Sequence, residues 1–187
     1  MSIANDVLIA CADETRRSGV KRIFVAPACE IVSFTPGVAD HEYTAVTHVN
    51  VGDVFYEIEG EFETKPFTGE GTTENGSNVS ENSLEVFIPR MEKAKAKELN
   101  DLFAGGKVVV VFSVYDVATA NDRAFVMGYD EILMLDAACR ATVNQTLEAE
   151  LQGQNGYAVT FSGKQTELLR EYNGDIETNS SGTVSFG

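Results

Sequence analysis

The chain has 187 residues, 43% hydrophobic and 23% charged, with 29 acidic against 14 basic side chains and a net charge of −15. That length and balance give one domain with a proper core and exclude wholesale disorder. The charge excludes non-specific binding to nucleic acid or an anionic membrane, which needs clustered Lys and Arg; basic residues gather only at Arg16, Arg17, Lys21, Arg22 and at Lys93, Lys95, Lys97.

The opening stretch MSIANDVLIACADETRR has no basic n-region and only a short apolar run, so no signal peptide is expected. No apolar run reaches the ~20 residues of a membrane helix. Cys11, Cys29 and Cys139 are odd in number, widely spaced and set among apolar neighbours, which predicts buried free thiols of a reducing compartment.

Residues 20–25 (VKRIFV) and 29–34 (CEIVSF) read as short strands around Pro27, ended by the turn Thr35-Pro36-Gly37. Residues 43–51, rich in β-branched side chains, read as extended. A strand is expected over 54–67. Along it Glu57, Glu59, Glu61 and Glu63 share one face, and Val54, Tyr56, Ile58 and Phe62 the other. Such a face carries a carboxylate about every 6.6–6.8 Å, and these repel one another.

From Thr68 to Asn82 the sequence TGEGTTENGSNVSEN holds one apolar residue, Val79, and reads as a long polar loop. A strand resumes at 84–88 (LEVFI). Pro89 then opens a helix over about 90–104, closed by Gly105-Gly106, with Met91, Leu99, Leu102 and Phe103 as its apolar stripe. Residues 107–115 (KVVVVFSVY), apolar on both faces, read as a central strand. Further strands are expected at 123–127, 131–135 and 142–152. In the last, Val143, Leu147, Ala149 and Leu151 alternate with Asn144, Thr146, Glu148 and Glu150. Gly153-Gln154-Asn155-Gly156 is a hairpin turn, returning as 157–161 (YAVTF). The Ser/Gly-rich end reads as a mobile arm, with Val184 and Phe186 able to dock on a neighbour. Strands with one inserted helix give a mainly β, α+β architecture rather than βαβ units.

The search for chemistry returns no catalytic set, and an enzyme is not expected. His41 and His48 are seven apart in an extended segment, which puts them on opposite faces. With Asp40, Glu42 and Asp53 they would offer a divalent-metal site, but surface or turn positions explain them better, and no metal or cofactor is expected. No serine or cysteine stands in G-x-S-x-G, and no P-loop or dinucleotide fingerprint is present. The glutamates lie on regular strands, and the chain has no Trp for a sugar platform.

The order of these segments resembles the tail tube (major tail) proteins of long-tailed bacteriophages over roughly residues 20–170. The resemblance rests on the acidic strand entering Asn75-Gly76-Ser77-Asn78, then Ser83-Leu84-Glu85-Val86-Phe87-Ile88-Pro89, the helix and Gly106-Lys107-Val108-Val109-Val110-Val111. It rests most on the closing hairpin Gly153-Gln154-Asn155-Gly156-Tyr157-Ala158-Val159-Thr160-Phe161-Ser162-Gly163-Lys164, where Gln154 replaces the family's acidic residue.

The resemblance implies a tail-tube-type β-sandwich or partial barrel of antiparallel strands at 20–170, with a flanking helix, an N-terminal arm at 1–19 and a C-terminal arm at 171–187. It implies hexameric rings whose strands join into an inner barrel, stacked through long loops and arms, with double-stranded DNA passing without specific binding. Expected partners are further copies of the chain and other tail proteins, and no membrane. The place is the virion tail, after synthesis in the host cytoplasm.

A conduit for DNA needs an acidic wall, which assigns the lumen to Glu57, Glu59, Glu61, Glu63, Glu148 and Glu150. The inter-ring loop is then Glu70, Glu74, Asn75, Ser77, Asn78 and Glu81. The alternatives are a tail terminator or neck ring protein, the tube of a contractile injection system, and a carbohydrate-binding β-sandwich.

Overall fold

The computed structural model describes residues 19–38, 41–60, 65–74, 77–104, 106–114, 123–147, 155–180 and 182–186. Its centre is set by the two stretches that are apolar at successive positions. These form β1 (Val20–Pro27) and β7 (Lys107–Val114), paired antiparallel from Pro27 opposite Val108 to Val20 opposite Val114. A strand apolar on both faces needs a core on each side. The first core takes Ile23, Val25, Val108, Val110 and Phe112, and the second takes Phe24, Ala26, Val109 and Val111.

Along its other edge β7 is shared. Val110–Val114 pair with β8 (Arg123–Met127), while Lys107 and Val108 pair with β9 (Cys139–Leu147), so the sheet forks. From β8 it continues through β11 (Arg170–Tyr172) and β3 (Glu42–His48) to β2 (Ile31–Pro36). From β9 it continues through β10 (Asn155–Gln165) and β6 (Ser77–Pro89) to β5 (Phe67–Glu74). The short β4 (Tyr56–Ile58) lies on the far edge of β1. β3 and β11 run parallel and the other pairs antiparallel, and the sheet does not close into a barrel. The fold is mainly β, with one α-helix among the described residues, α1 (Lys93–Ala104), packing Leu99, Ala96 and Leu102 on the first core.

The second core is aromatic. Phe34 stands 5.0–5.9 Å from the rings of Tyr43, Tyr129 and Tyr172. Phe186 closes it, 5.9 Å from Phe24 and 6.1 Å from Tyr172. The C-terminal stretch is therefore no mobile arm over its described residues. β12 (Asp175–Thr178) and β13 (Gly182–Ser185) form a hairpin that buries Ile176 and Phe186 in the chain's own core. The Phe55 carbonyl and N–H bond to Asn179 and Glu177, which ties this hairpin to the start of β4.

Four further expectations need correction. The stretch 68–82 is a regular hairpin, not a loop, with Phe67 opposite Leu84 and Glu74 opposite Ser77. β6 is zipped along β10 from Pro89 to Ser80, and that pairing, invisible in the polar composition, holds it extended. The strand expected over 54–67 is regular only at Tyr56–Ile58, with residues 61–64 outside the described set. Residues 131–135 form turns because the Asp130 carboxylate accepts the N–H groups of Ile132 and Leu133, the former at 2.9 Å, as Asx turns do. The helix starts at Lys93, since Pro89 ends β6 and Arg90 takes a left-handed φ of 65°. The Met91 side chain, expected in the apolar stripe, is exposed ahead of it.

Cys139 is a buried free thiol and Cys29 an exposed one, contrary to the expectation for Cys29; Cys11 lies outside the described residues. A Cβ added at Gly163 or Gly128 would come within 2.8 or 2.9 Å of the Cys139 sulfur, so backbone closes over it. Burial pushes this thiol up to about 12 from its ordinary 9.0. Burial likewise raises the phenols of Tyr43 and Tyr172 above their ordinary 10.0.

These groups are neutral in the fold, while the unfolded chain ionises them at their ordinary values. Stability is therefore fully present below about pH 9 and falls as pH climbs from about 9 towards 12, by about 1.4 kcal/mol per pH unit for each group that ionises only on unfolding. Urea midpoints at pH 8, 10 and 11 check this, and Cys139→Ala is expected to flatten the first part of the slope.

Candidate functional site: an acidic edge, a projecting ribbon and a polar trough

The acidic strand is less uniform than its alternation predicts. Glu57 lies opposite Phe24 on β1, and Arg22 donates Nε and Nη2 to its two carboxylate oxygens at 2.7 and 2.9 Å. The Arg22 guanidinium is also stacked 4.7 Å from the Phe24 ring. Lys65 donates to the Lys21 carbonyl at 2.9 Å. Burial lowers the Lys65 pKa, and Glu57 and Glu59 counter that shift. Two cations thus compensate the described half of the stripe. Glu59 is exposed; Glu61, Glu63, Glu148 and Glu150 lie outside the described residues.

The hairpin β5–β6 projects. β6 pairs with β10 only as far as Ser80 opposite Gln165; beyond it, Ser77, Asn78 and Val79 pair only with Thr72, Thr73 and Glu74. Thr72, Thr73, Ser77 and Asn78 are exposed, and the Thr73 hydroxyl lies 3.0 Å from Asn78 Oδ1. The root of this ribbon is pinned by a buried amide chain. Asn82 Nδ2 donates to Gln165 Oε1 at 2.9 Å, and Gln165 Nε2 donates to the Tyr129 carbonyl at 2.6 Å. Glu70 and Glu81 stand opposite one another at its base, with Lys164 paired to Glu81. Asn75 and the side chain of Glu74 lie outside the described set.

Beside that root lies a feature sequence reading missed. The register aligns one residue from each of five strands: Thr68 opposite Ser83, Ser83 opposite Ser162, Ser162 opposite Arg140, and Arg140 opposite Lys107. Residues directly opposite share a face, so three hydroxyls lead to two cations. The parallel row Glu70–Glu81–Lys164 lies beside it, and both line an open trough of about 830 Å³.

Its poles differ in sign. Glu70 and Glu81 mark the β5–β6 side and Arg140 and Lys107 the β9–β7 side; Glu70 and Lys107 stand on strands four spacings or about 19 Å apart, Glu81 and Arg140 on strands two spacings or about 10 Å apart. Lys107 donates to the Asp136 carbonyl at 3.1 Å and stands 3.7 Å from the Asp136 carboxylate, which also lines the trough, whereas the Arg140 side chain makes no hydrogen bond or ion pair to the described residues. No single motif marks this row, because register alone assembles it.

Among the described residues no three His, Cys, Asp or Glu side chains come together as a metal-ligand set. His41 sits in a turn at φ 71°, and His48 packs 5.6 Å from the Phe55 ring with both ring nitrogens buried and unbonded. Compared with models of known protein families, with curated proteins and with solved structures, the chain has no match.

Proposed function

We propose that this chain is a structural virion protein that assembles into stacked, six-membered rings forming the tail tube of a long-tailed phage, a negatively lined conduit for DNA ejection. The observation that carries this reading is the unguarded end of the sheet. Among the described residues β5 pairs only with β6 and presents eight residues along its other edge, with no Lys, no Pro and no bulge. Natural monomers blunt such edges, because a row of unpaired N–H and C=O groups is a template for another chain. At the far end β2 also has one strand neighbour among the described residues, so both ends of the sheet can be extended by further copies. A contact between two different edges is heterologous: it closes into a ring or continues as a filament.

The acidic composition fits a wall that lets a polyanion slide, since screening over about 8–10 Å confines the repulsion to DNA near the surface. Because Arg22 pairs with Glu57, the exposed part of the stripe begins at Glu59.

Negative-stain images of the purified protein over a concentration series are expected to show rings or tubes; a monodisperse monomer at every concentration sinks the proposal. Within assembled tails, Glu59→Lys with Glu61→Lys is expected to leave tubes intact and to reduce DNA ejection and infectivity. Unchanged infectivity removes the lumen assignment.

A further inference from the structure

We propose that the trough receives the projecting β5–β6 ribbon of a second copy, with the Arg140–Lys107 pole taking the acidic side of the incoming ribbon. This rests on the assembly reading above and names the surface through which one ring would grip the next.

The trough is built as an acceptor. Two like charges directly opposite on neighbouring strands destabilise a sheet, and the chain has only 14 basic residues to place. Two of them nevertheless face each other at the end of a hydroxyl row; Lys107 is paired with Asp136, and the Arg140 side chain makes no hydrogen bond or ion pair within the described residues. An arginine fork in that position recognises a carboxylate through paired N–H donors. The trough is open, its lining side chains are polar apart from glycines and Ala138, and none is aromatic, unlike the mostly apolar clefts that hold small ligands. An extended polar segment of protein suits it better.

The ribbon has the matching chemistry. Its overhang presents Thr72, Thr73, Ser77 and Asn78, and the glutamate at position 74 is its one formal charge. No Lys or Arg occurs anywhere between Pro66 and Pro89. A two-stranded hairpin without a further neighbour is marginal in water, so a partner surface stabilises it.

It cannot fill its own trough. Thr68 and Ser83 form one wall, and the same two strands run on past Ser80, away from the trough. From Thr68 to Glu74 is six residues, about 20 Å of strand. The occupant is therefore another copy displaced along the strand direction. Such a head-to-tail contact repeats without closing.

The test uses the full chain, with sedimentation and negative-stain imaging over a concentration series. Arg140→Glu with Lys107→Glu is expected to keep the wild-type circular dichroism spectrum and to require at least about tenfold more protein to assemble; adding Glu74→Lys is expected to restore assembly. Independently, Asn78→Cys with Ser162→Cys is expected to give an intermolecular disulfide ladder on a non-reducing gel after oxidation of the assembled protein. Neither single variant is expected to give it. The ladder also decides the matter if the charge variant fails to fold.

If the wild type and the charge-reversed variant assemble alike and no ladder forms, the ribbon-in-trough contact is overturned and the tube reading stands. If the wild type never assembles, both fall together.

Discussion

Phe186→Ala is expected to lower the stability of the chain by about 3–5 kcal/mol, the range for removing a large aromatic side chain from a core. For a chain of this size that corresponds to a fall in Tm on the order of 10 °C. The ring is 5% exposed and meets Phe24 and Tyr172 edge-on in the second core, while the Phe186 N–H donates to the Gly174 carbonyl at 3.0 Å. Deleting residues 175–187 also removes Ile176, which is fully buried, and is expected to prevent folding or leave an aggregating species. Thermal unfolding of the two variants, followed by circular dichroism, is the check. A loss below about 1 kcal/mol for Phe186→Ala would return this stretch to the role of a loosely held arm.

The second large effect is expected at Asp130, fully buried at the end of the turn that follows β8. One carboxylate oxygen accepts the N–H groups of Ile132 and Leu133. The other accepts the Thr166 N–H at 2.8 Å and its hydroxyl at 3.2 Å. This one side chain joins the 130–134 turn to the segment after β10. Asp130→Ala takes the acceptor from four part-buried donors, at about 1–3 kcal/mol for each that water does not reach, and is expected to destabilise by about 3–5 kcal/mol in urea unfolding. Asp130→Asn keeps one accepting oxygen and turns an amide towards the other donors, so it is expected to recover less than half of the loss. Full recovery by asparagine would mean that shape, and not acceptor geometry, holds the turn.

Ile132, Leu133 and Met134 show why this region misled sequence reading. Four successive apolar residues after Glu131, in EILML, carry the composition of a strand. The Asp130 side chain instead captures the backbone N–H groups a strand would need, and Met134 adopts a φ of 50°. All three side chains stand exposed. Polar residues misled in the opposite direction. The stretch 68–82 has the composition of a loop, yet Ser80, Asn82 and their neighbours pair strand to strand with β10, and Asn82 is buried. The dipeptide Asn75-Gly76 is in itself a hairpin signal, and a fifteen-residue stretch with one apolar residue outweighed it. At the C-terminal end, the apolar residues Ile176, Val184 and Phe186 were the legible sign of docking within a Ser/Gly-rich stretch.

What the sequence determined by itself is the mainly β class, the single helix and the central place of KVVVVFSV. Each rests on a local property: period-2 alternation, helix propensity, or apolar character on both faces of one strand. It also placed Glu57 on a strand, while Glu59, expected on the same strand, lies just past its end. The tertiary structure alone decided what those residues face. The pairing of β1 with both β4 and β7 brings Arg22 to Glu57, thirty-five positions away in the chain. The register of β5, β6, β10, β9 and β7 sets three hydroxyls and two cations in one line. A strand's own pattern states which side chains share its face. Which neighbour lies alongside, and in what register, is fixed by contacts between segments far apart in the chain, and no local period records them.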